Sequence, residues 1–414
     1  MKKLQSDHRV LIIGASHAGI SMAEQLRKVG FDGEIVMIDR EAEMPMERPP
    51  LSKAWLYEEG AGGEGSFLMR QPEWFQENNV TFHRGADAVS ADHDAGTITL
   101  ADGTIMPWDH LVLATGAVPR NLHFDGDEGR DRVHVLRVPA DAERLSHAMS
   151  SAQNIVIIGG GYIGLEVAAS ARKRGLGVTV VEMAPRLLAR VASPESSSYF
   201  HQLHEDHGTV INTSCAVEGL TASSDTVSMV LGDQNHTADI VLAGIGVIPD
   251  MILAESLGLT IENGIVVDSL YATGQEGVWA IGDVALPSGG YTDGALRIES
   301  VHHAQMSAEI ASAAMMGQAT KDHEVPWFWS EQYDKKLQSA GLYEQDATVI
   351  TRAGKREGAV SFWSFKDDQL IAVEAISDPQ AFMIGKTVLT DGKTLTIDEL
   401  SDSDFDLKTV LKRD

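Results

Sequence analysis

Two segments of the sequence carry residue types that bind dinucleotides. In one of them, Gly159, Gly161 and Gly164 are spaced as Gly-x-Gly-x-x-Gly, and Glu182 follows. Glycines at this spacing allow a tight turn whose backbone N–H groups, with a helix N-terminus, face a pyrophosphate. An acidic residue about 20 positions later hydrogen-bonds the adenosine ribose and repels a 2′-phosphate. The segment therefore predicts an NAD site. Its candidate contacts are Gly159, Gly161, Tyr162, Ile163, Gly164 and Glu182.

The other segment departs from this pattern at one position. Gly14 and Gly19 hold the outer glycine positions, but Ser16 replaces the middle glycine. Serine is the smallest polar replacement, and its backbone can still approach a phosphate with some crowding. Alone, the segment is also compatible with a structural turn. Taken as a second dinucleotide site, it consists of Gly14, Ala15, Ser16, His17, Ala18, Asp39 and Arg40.

Both segments lie in the same succession of predicted elements: strand, glycine turn, helix, and a strand that ends at the acid. The elements are strands at 9–13 and 154–158, helices at 18–29 and 165–174, and strands at 34–38 and 178–181. Gly30 and Gly175 follow the two helices and are expected to end them. Two βαβ units are more than one dinucleotide needs. We therefore predict an α/β protein with two Rossmann-like dinucleotide-binding domains.

The pattern of elements changes after Pro326. Residues 360–365 and 370–376 have the alternation of antiparallel strands, and residues 379–389 have helical spacing. Residues 398–406 are acidic and are expected to be loose. The sequence thus predicts a separate α+β domain at the C-terminal end.

The composition excludes several classes of function. The 414 residues carry a formal net charge of −27, and such a surface repels nucleic-acid phosphates and anionic membranes. No apolar run approaches the roughly 20 residues of a membrane-spanning helix. The single cysteine, Cys215, excludes an internal disulfide, a redox cysteine pair and a multi-cysteine metal site. We expect a soluble cytoplasmic protein with no nucleic-acid partner, no membrane partner and no metal.

A series of motifs along nearly the whole chain resembles those of flavoprotein ferredoxin and rubredoxin reductases, which serve bacterial cytochrome P450 and aromatic-ring dioxygenase systems. The motifs are 47–53 (ERPPLSK), 114–116 (ATG), 159–166 (GGGYIGLE), 244–246 (GIG), 280–283 (AIGD), 297–304 (RIESVHHA) and 326–332 (PWFWSEQ). The resemblance implies a glutathione reductase-like fold with a C-terminal α+β interface domain. The implied segments are 1–117 (FAD-binding domain, first part), 118–245 (NAD-binding domain), 246–323 (FAD-binding domain, second part) and 324–414 (C-terminal domain).

The resemblance also implies contacts to FAD and NADH. Asp283 would accept hydrogen bonds from the flavin ribityl chain. Val301, near a helix start, would offer its N–H to the flavin pyrimidine edge. The other implied FAD contacts are Arg48, Lys53, Ala88, Ala114, Thr115, Gly116, Arg137 and Gly282. Gly246 would lie at the NADH site.

Three residues are implied in electron transfer itself. Lys53, near flavin N5, would pair with Glu166, and Glu166 would orient the nicotinamide carboxamide. Trp329 would lie at the flavin edge that faces the partner protein. Hydride would pass from NADH to the flavin without a side-chain nucleophile, because the cofactors carry the chemistry.

The expected acceptor is external, because the segment 41–53, where relatives of this fold carry redox cysteines, has none. The resemblance favours a small [2Fe–2S] ferredoxin or a rubredoxin that feeds a cytochrome P450 or a dioxygenase. Two alternatives remain. One is a redox-sensing flavoprotein that acts mainly by binding other proteins. The other is an NADH:monodehydroascorbate-type reductase.

Overall fold

The computed structural model describes residues 3–57, 65–126, 128–292 and 294–413. They form two compact units. The first unit takes the described residues within Met1–Glu47, Gly65–Val118 and Ile248–Pro326, and the second takes those within Arg48–Glu64, Pro119–Val247 and Trp327–Asp414. The segment that starts at Arg48 thus belongs to the second unit, whereas the resemblance implied a first FAD-binding segment that runs without a break to residue 117. The division into four domains stays a prediction.

The first unit is built on a parallel sheet of five strands. In spatial order the strands are Val278–Ala280, His110–Leu113, Arg9–Ile13, Glu34–Asp39 and Val80–Arg84. Val10, Leu11 and Ile12 are fully buried, because a parallel sheet is covered on both faces and its strands are apolar throughout. The predicted strands at 9–13 and 34–38 are confirmed.

The other elements of the first unit cover this sheet and extend it. The helices are His17–Lys28, Pro72–Glu77, Ile252–Ser256 and Val301–Met315, with a 3₁₀ turn at Gly282–Val284. Three antiparallel strands, Ala88–Asp92, Thr97–Leu100 and Ile105–Pro107, form a small sheet, and Ile265–Val267 pairs with Ala285–Pro287. The short strands Ala117–Pro119 and Val247–Pro249 lie where the chain passes between units.

The second unit repeats this plan. Its five parallel strands are, in spatial order, Thr209–Asn212, Gly177–Val181, Asn154–Ile158, Ile240–Ala243 and Val133–His134. A three-stranded antiparallel sheet of Val217–Ala222, Val227–Leu231 and Gln234–Ala238 accompanies them. The helices here are Ala54–Tyr57, Pro139–Ser151, Tyr162–Lys173 and Pro194–Asp206, with 3₁₀ turns at Pro49–Ser52 and Arg130–Arg132.

The C-terminal part of the second unit is an antiparallel sheet with one long helix. The strands, in spatial order, are Trp327–Gln332, Lys335–Gly341, Gln369–Ile376, Val360–Lys366 and Thr348–Ala353. The helix Pro379–Asp391 packs on them, with Gly385 against Val373 and Trp363. The predicted antiparallel strands and the predicted helix of this region are confirmed.

The acidic end is ordered, so the prediction of a loose segment at 398–406 was wrong. Ile397–Ser401 is a helix capped by Thr396, and Leu407–Lys412 is a 3₁₀ turn. The guanidinium of Arg352 donates to the carbonyl oxygens of Leu400, Asp402 and Phe405. The half-buried side chain of Arg352 therefore holds in place a segment whose composition alone favours disorder. No helix among the described residues is long and apolar enough to cross a membrane.

Candidate functional site

The first glycine turn, Gly14 to Gly19, joins the central strand of the first unit to the helix His17–Lys28. Gly14 has φ +104°, and a Cβ there would lie 2.3 Å from the carbonyl oxygen of Ala114. A Cβ on Gly19 would lie 1.8 Å from the carbonyl oxygen of Gly14. Both outer positions thus require glycine. Ser16 has extended backbone, φ −87° and ψ −161°, so a side chain is tolerated at the middle position without strain.

Asp39 closes this turn. Its Oδ2 accepts a 2.5 Å hydrogen bond from the N–H of Ala15, and its Oδ1 accepts a 2.8 Å hydrogen bond from the N–H of Glu41. The carboxylate therefore lies beside the first helix N-terminus, where first-turn N–H groups have no intrahelical partner. The acid, the turn and the helix end fit the adenosine diphosphate part of a dinucleotide such as FAD.

The other candidate residues of the first unit follow neighbouring strands of the same parallel sheet. Ala114, Thr115 and Gly116 follow His110–Leu113, and Thr115 Oγ1 donates to the carbonyl oxygen of Asp250 at 2.8 Å. Gly282 and Asp283 follow Val278–Ala280. A Cβ on Gly282 would lie 2.8 Å from the Cβ of Ala18. The carboxyl ends of these parallel strands lie at one edge of the sheet, which is where such folds bind ligands.

Val301 is the first residue of the helix Val301–Met315, and the side chain of Ser300 caps that helix by accepting from the N–H of His303. The N–H of Val301 belongs to the first turn and has no intrahelical partner. It fits the predicted role of a donor to a flavin pyrimidine edge. Within the first unit, the donors and the glycine cradle are thus those that an FAD needs.

Two other predicted contacts of the first unit, His17 and Arg40, have side-chain partners, and a third, Ala88, lies in a strand. His17 is buried and its Nε2 lies 2.8 Å from Glu47 Oε2, and this hydrogen bond lowers the pKa of Glu47. Arg40 is paired with Asp250 and lies 3.7 Å from Asp87. Ala88 begins the small antiparallel sheet, two residues after Ala86, whose N–H donates to the Asp39 carbonyl. Whether these residues also contact FAD stays a prediction.

The second glycine turn, Gly159 to Gly164, has nearly the same geometry in the second unit. Gly159 has φ +112°, and a Cβ there would lie 2.2 Å from the carbonyl oxygen of Gly244. Gly161 has extended backbone, and a Cβ there would meet nothing within 4 Å. Glu182 Oε2 accepts a 2.7 Å hydrogen bond from the N–H of Gly160. The open space at Gly161 is the place where a pyrophosphate can approach the backbone.

The remaining predicted NAD contacts also lie in the second unit. The helix begins at Tyr162, three residues before the predicted start, so Ile163 and Gly164 belong to its first turn. Ile163 is exposed. Gly246 has φ +90°, and its carbonyl oxygen accepts from the N–H of Arg120. The helix ends before Gly175, which has φ +87°, as Gly30 with φ +91° ends the helix of the first unit.

Tyr162 lies at this helix start and is half-buried, with its hydroxyl oxygen buried. Its ring makes an edge contact with Phe328, with centroids 4.5 Å apart. Its hydroxyl has no hydrogen-bond partner among the described residues. Burial, together with the carboxylates of Glu374 and Glu166, raises the pKa of this phenol. An unsatisfied buried hydroxyl costs free energy, so Tyr162 is a candidate to hydrogen-bond a ligand of the second unit.

Lys53 and Glu166 meet in the second unit as the resemblance implied. Lys53 Nζ lies 2.7 Å from Glu166 Oε2. The Glu166 side chain is 3% exposed. Ser52 Oγ donates to Glu166 Oε2 at 2.5 Å, and Ser330 Oγ donates to Glu166 Oε1 at 2.6 Å. A buried carboxylate is stable when it is paired and hydrogen-bonded in this way.

Ser52 and Ser330 are site residues that sequence reasoning missed. Both are 1% exposed, and each lies in a motif already singled out, beside Lys53 in 47–53 and in 326–332. Buried serines need hydrogen-bond partners. The available signal was a serine directly beside Lys53 in one motif and directly after three consecutive aromatic residues in the other.

The last predicted residues also lie in the second unit. Arg48 donates to the carbonyl oxygen of Arg137 at 2.9 Å, so these two residues are neighbours. Trp329 is half-buried in the strand Trp327–Gln332, and its ring centroid lies 5.9 Å from that of Trp327. The roles of Arg48, Arg137 and Trp329 toward a flavin or a partner stay predictions.

Comparison with known proteins agrees with this geometry. Residues 8–308 match the family model described as pyridine nucleotide-disulphide oxidoreductase, and residues 327–411 match that described as reductase C-terminal. The chain is 40% identical to rhodocoxin reductase of Rhodococcus erythropolis over 98% of this chain and 94% of that protein.

Two solved structures have nearly the same fold. One is the ferredoxin reductase of the CYP199A2 system from Rhodopseudomonas palustris, with 37% identity and a TM-score of 0.93 over 97% of this chain and 99% of that chain. The other is a covalent putidaredoxin reductase–putidaredoxin complex, with 33% identity and a TM-score of 0.92 over 99% of both chains.

Proposed function

Because this chain belongs to the pyridine nucleotide-disulphide oxidoreductase family, we propose that it is an FAD-containing, NADH-dependent reductase. It passes electrons singly to a small [2Fe–2S] ferredoxin, or to a rubredoxin, that feeds an oxygenase such as a cytochrome P450. Relatives that match over almost their whole length are named as reductases of such carriers. A bound FAD would accept two electrons from a hydride donor and release them one at a time to a one-electron acceptor.

One observation carries this proposal. The described part of the chain has two glycine turns, each closed by an acid at the same hydrogen-bonding position, Asp39 in the first unit and Glu182 in the second. Two such turns provide for two dinucleotides. The single cysteine, Cys215, leaves no dithiol within the chain to receive electrons. The acceptor is therefore a separate molecule.

The residues of the second unit position NADH. The second glycine turn holds the pyrophosphate, and Glu182 accepts hydrogen bonds from the adenosine ribose hydroxyls. Glu166 accepts a hydrogen bond from the nicotinamide carboxamide and so fixes which face of the nicotinamide ring is presented for hydride transfer. Lys53 balances the negative charge that accompanies reduction, and Trp329 contributes to recognition of the partner. The catalytic groups are thus Lys53, Glu166 and Trp329, and their roles are charge compensation, orientation of the nicotinamide and recognition of the partner.

The residues of the first unit hold FAD. The first glycine turn and Asp39 bind its adenosine diphosphate part, with Arg40 beside them. Asp283 accepts from the ribityl chain, and the N–H of Val301 donates to the pyrimidine edge. We assign Arg48, Ala88 and Arg137 to the same cofactor. Because NADH is produced and consumed inside the cell, we place the protein in the cytoplasm.

The test is a screen of purified ferredoxins and rubredoxins for reduction by NADH in the presence of catalytic amounts of the yellow holoprotein. Rapid turnover with at least one carrier is expected. Cys215→Ser is the control, and it should keep full activity with unchanged FAD content. Slow turnover with every carrier, together with a long-lived NADH complex, would instead favour a binding flavoprotein. Direct reduction of monodehydroascorbate without a carrier would favour the other alternative.

A further inference from the structure

A chain of hydrogen bonds in the second unit ends on Glu166. We call it the donor chain, and its members are Tyr333, His204, Gln332 and Ser330. Tyr333 Oη lies 3.2 Å from His204 Nδ1, and His204 Nε2 lies 2.8 Å from Gln332 Oε1. Gln332 Nε2 donates to Ser330 Oγ at 3.3 Å, and Ser330 Oγ donates to Glu166 Oε1 at 2.6 Å.

The chemistry of these groups fixes the direction of every bond. An amide oxygen only accepts, so His204 must carry its proton on Nε2. In a neutral imidazole Nδ1 is then an acceptor, so the hydroxyl of Tyr333 must donate to it. The four donors therefore all point toward the carboxylate of Glu166. Hydrogen bonds aligned in one direction polarise one another, and the effect is largest in a buried site.

The burial of the donor chain is high. His204 is 0% exposed, and Ser330 and Gln332 are each 1% exposed. Ser330 and Gln332 are two positions apart on one strand, so they share a face. Their strand neighbours Trp329 and Glu331 point to the opposite face. The strand thus separates an internal polar row from the surface that carries Trp329.

The far end of the donor chain is held in a strained position. Tyr333 has φ +56° in the two-residue turn between the strands Trp327–Gln332 and Lys335–Gly341. This conformation is uncommon for a residue with a side chain, and it persists when its surroundings impose it. The Tyr333 ring stacks on His207 with centroids 3.7 Å apart, and its hydroxyl lies 3.4 Å from Thr209 Oγ1.

We propose that Ser330, Gln332, His204 and Tyr333 are positioning residues for Glu166, which fix the plane of its carboxylate for recognition of the nicotinamide carboxamide. The inference rests on the proposed function. Ser52 and Lys53 bind Oε2 of this carboxylate, and the donor chain binds its other oxygen, Oε1. An oxygen has two lone pairs, so Oε1 retains one for an amide N–H of the ligand. The donor chain orients and does not conduct protons, because the amide of Gln332 keeps its protonation state.

The decisive experiment compares two ligands of the holoprotein, NAD⁺ and ADP-ribose, which lacks the nicotinamide. Ser330→Ala should weaken NAD⁺ binding in calorimetry by about tenfold, which corresponds to about 1.4 kcal/mol. ADP-ribose binding should not change. The control is Ser339→Ala, which removes another buried serine from the neighbouring strand and should leave both affinities as in the wild type. Equal weakening of both ligands by Ser330→Ala would overturn the proposal.

A double-mutant cycle tests whether the residues act as one chain. Gln332→Leu alone should slow flavin reduction by NADH in stopped-flow measurements and leave reduction by dithionite unchanged. In the Ser330→Ala background the same substitution should have no further effect on the rate, because the chain is already cut. Additive effects on the logarithm of the rate would overturn the proposal.

Long-range ¹⁵N NMR of His204 gives a measurement that does not depend on turnover. A neutral ring protonated at Nε2 is expected, and a ring protonated at Nδ1 would overturn the proposal. If the wild-type protein transfers no electrons from NADH to any carrier, the proposed function fails. The NAD⁺ and ADP-ribose affinities and the NMR spectrum then still decide the positioning role.

Discussion

Asp39 and Glu182 hold equivalent positions in the two units. Each carboxylate accepts from the N–H of the second residue of its glycine turn, Ala15 at 2.5 Å and Gly160 at 2.7 Å. Each also accepts, through its other oxygen, from the N–H two residues further along the chain, at 2.8 Å and 2.7 Å. Both acids are therefore oriented before any ligand arrives, which lowers the cost of binding a ribose.

We predict a preference for NADH over NADPH that depends on Glu182. A carboxylate at this place repels a 2′-phosphate, and the nearest following cation, Arg186, donates to the carbonyl oxygens of Ala189 and Ala192. Glu182→Ala should weaken NADH use by about 1.5–3 kcal/mol, the value of a hydrogen bond to a charged group. The comparison of kcat/KM for the two nucleotides checks this, and equal values in the wild type would contradict it.

Gly161 and Gly159 should respond differently to alanine. Gly161→Ala places a methyl group in open space on extended backbone, so the protein should fold and retain FAD. NADH should bind more weakly, because the methyl group keeps its phosphates from approaching the backbone of the turn. Gly159→Ala should impair folding, since the new Cβ would lie 2.2 Å from a carbonyl oxygen at φ +112°. Calorimetry and thermal unfolding separate the two. Wild-type NADH affinity in Gly161→Ala would place the phosphates elsewhere.

Replacing Lys53 or Glu166 should slow flavin reduction by NADH more than it weakens FAD retention. Lys53→Met also leaves the Glu166 carboxylate buried without its cation, which costs about 3–5 kcal/mol of stability for a buried pair. Lys336→Met, which removes an exposed lysine 3.2 Å from Glu331, is the control and should change little. Stopped-flow reduction at the wild-type rate in both Lys53→Met and Glu166→Gln would return the pair to a purely structural role.

The free energy of unfolding should fall as the pH is lowered from about 6.5 to about 4, and His204 should account for part of this loss. Burial lowers the pKa of His204 to about 4, although the hydrogen bond to Gln332 opposes this shift, and the neighbouring His207 and His201 add to it. In the unfolded chain a histidine has a pKa of about 6.5. Between these values the unfolded state binds a proton that the folded state does not, so acid destabilises the fold. His204→Gln should flatten the dependence of the unfolding midpoint on pH in this window, and an unchanged slope would contradict the assignment.

The kcat/KM for an acidic ferredoxin should hold steady or rise from low to moderate salt. The net charge of −27 repels such a partner, and salt shortens the Debye length from about 30 Å at 0.01 M to about 8 Å at 0.15 M. The short basic runs of the chain are not expected to attract the ferredoxin. Lys335 and Lys336 are paired with Asp334 and Glu331, and Arg172 donates to backbone carbonyls. A steep fall in kcat/KM over this range would mean that a local basic patch steers the encounter.

The sequence predicted the elements whose signals are local. The strands 9–13 and 154–158 and the acids Asp39 and Glu182 follow from apolar runs, glycine spacing and a terminal carboxylate, because each of these depends on neighbours along the chain. The helix starts were placed late, since the turn residues His17 and Tyr162 already have helical backbone. The resemblance supplied the pair Lys53 and Glu166, which no local pattern could connect.

Tertiary structure decided what depends on contacts between distant segments. Ser52 and Ser330 converge on Glu166 from segments far apart in the sequence, and His204 contacts Gln332 from another distant segment of the second unit. The sequence does not show whether the side chain of a serine or a glutamine lies at the surface or in a buried hydrogen-bond network. Only the burial that folding produces distinguishes the two. The acidic end is ordered for the same reason: the guanidinium of Arg352 meets its carbonyl oxygens only in the folded chain.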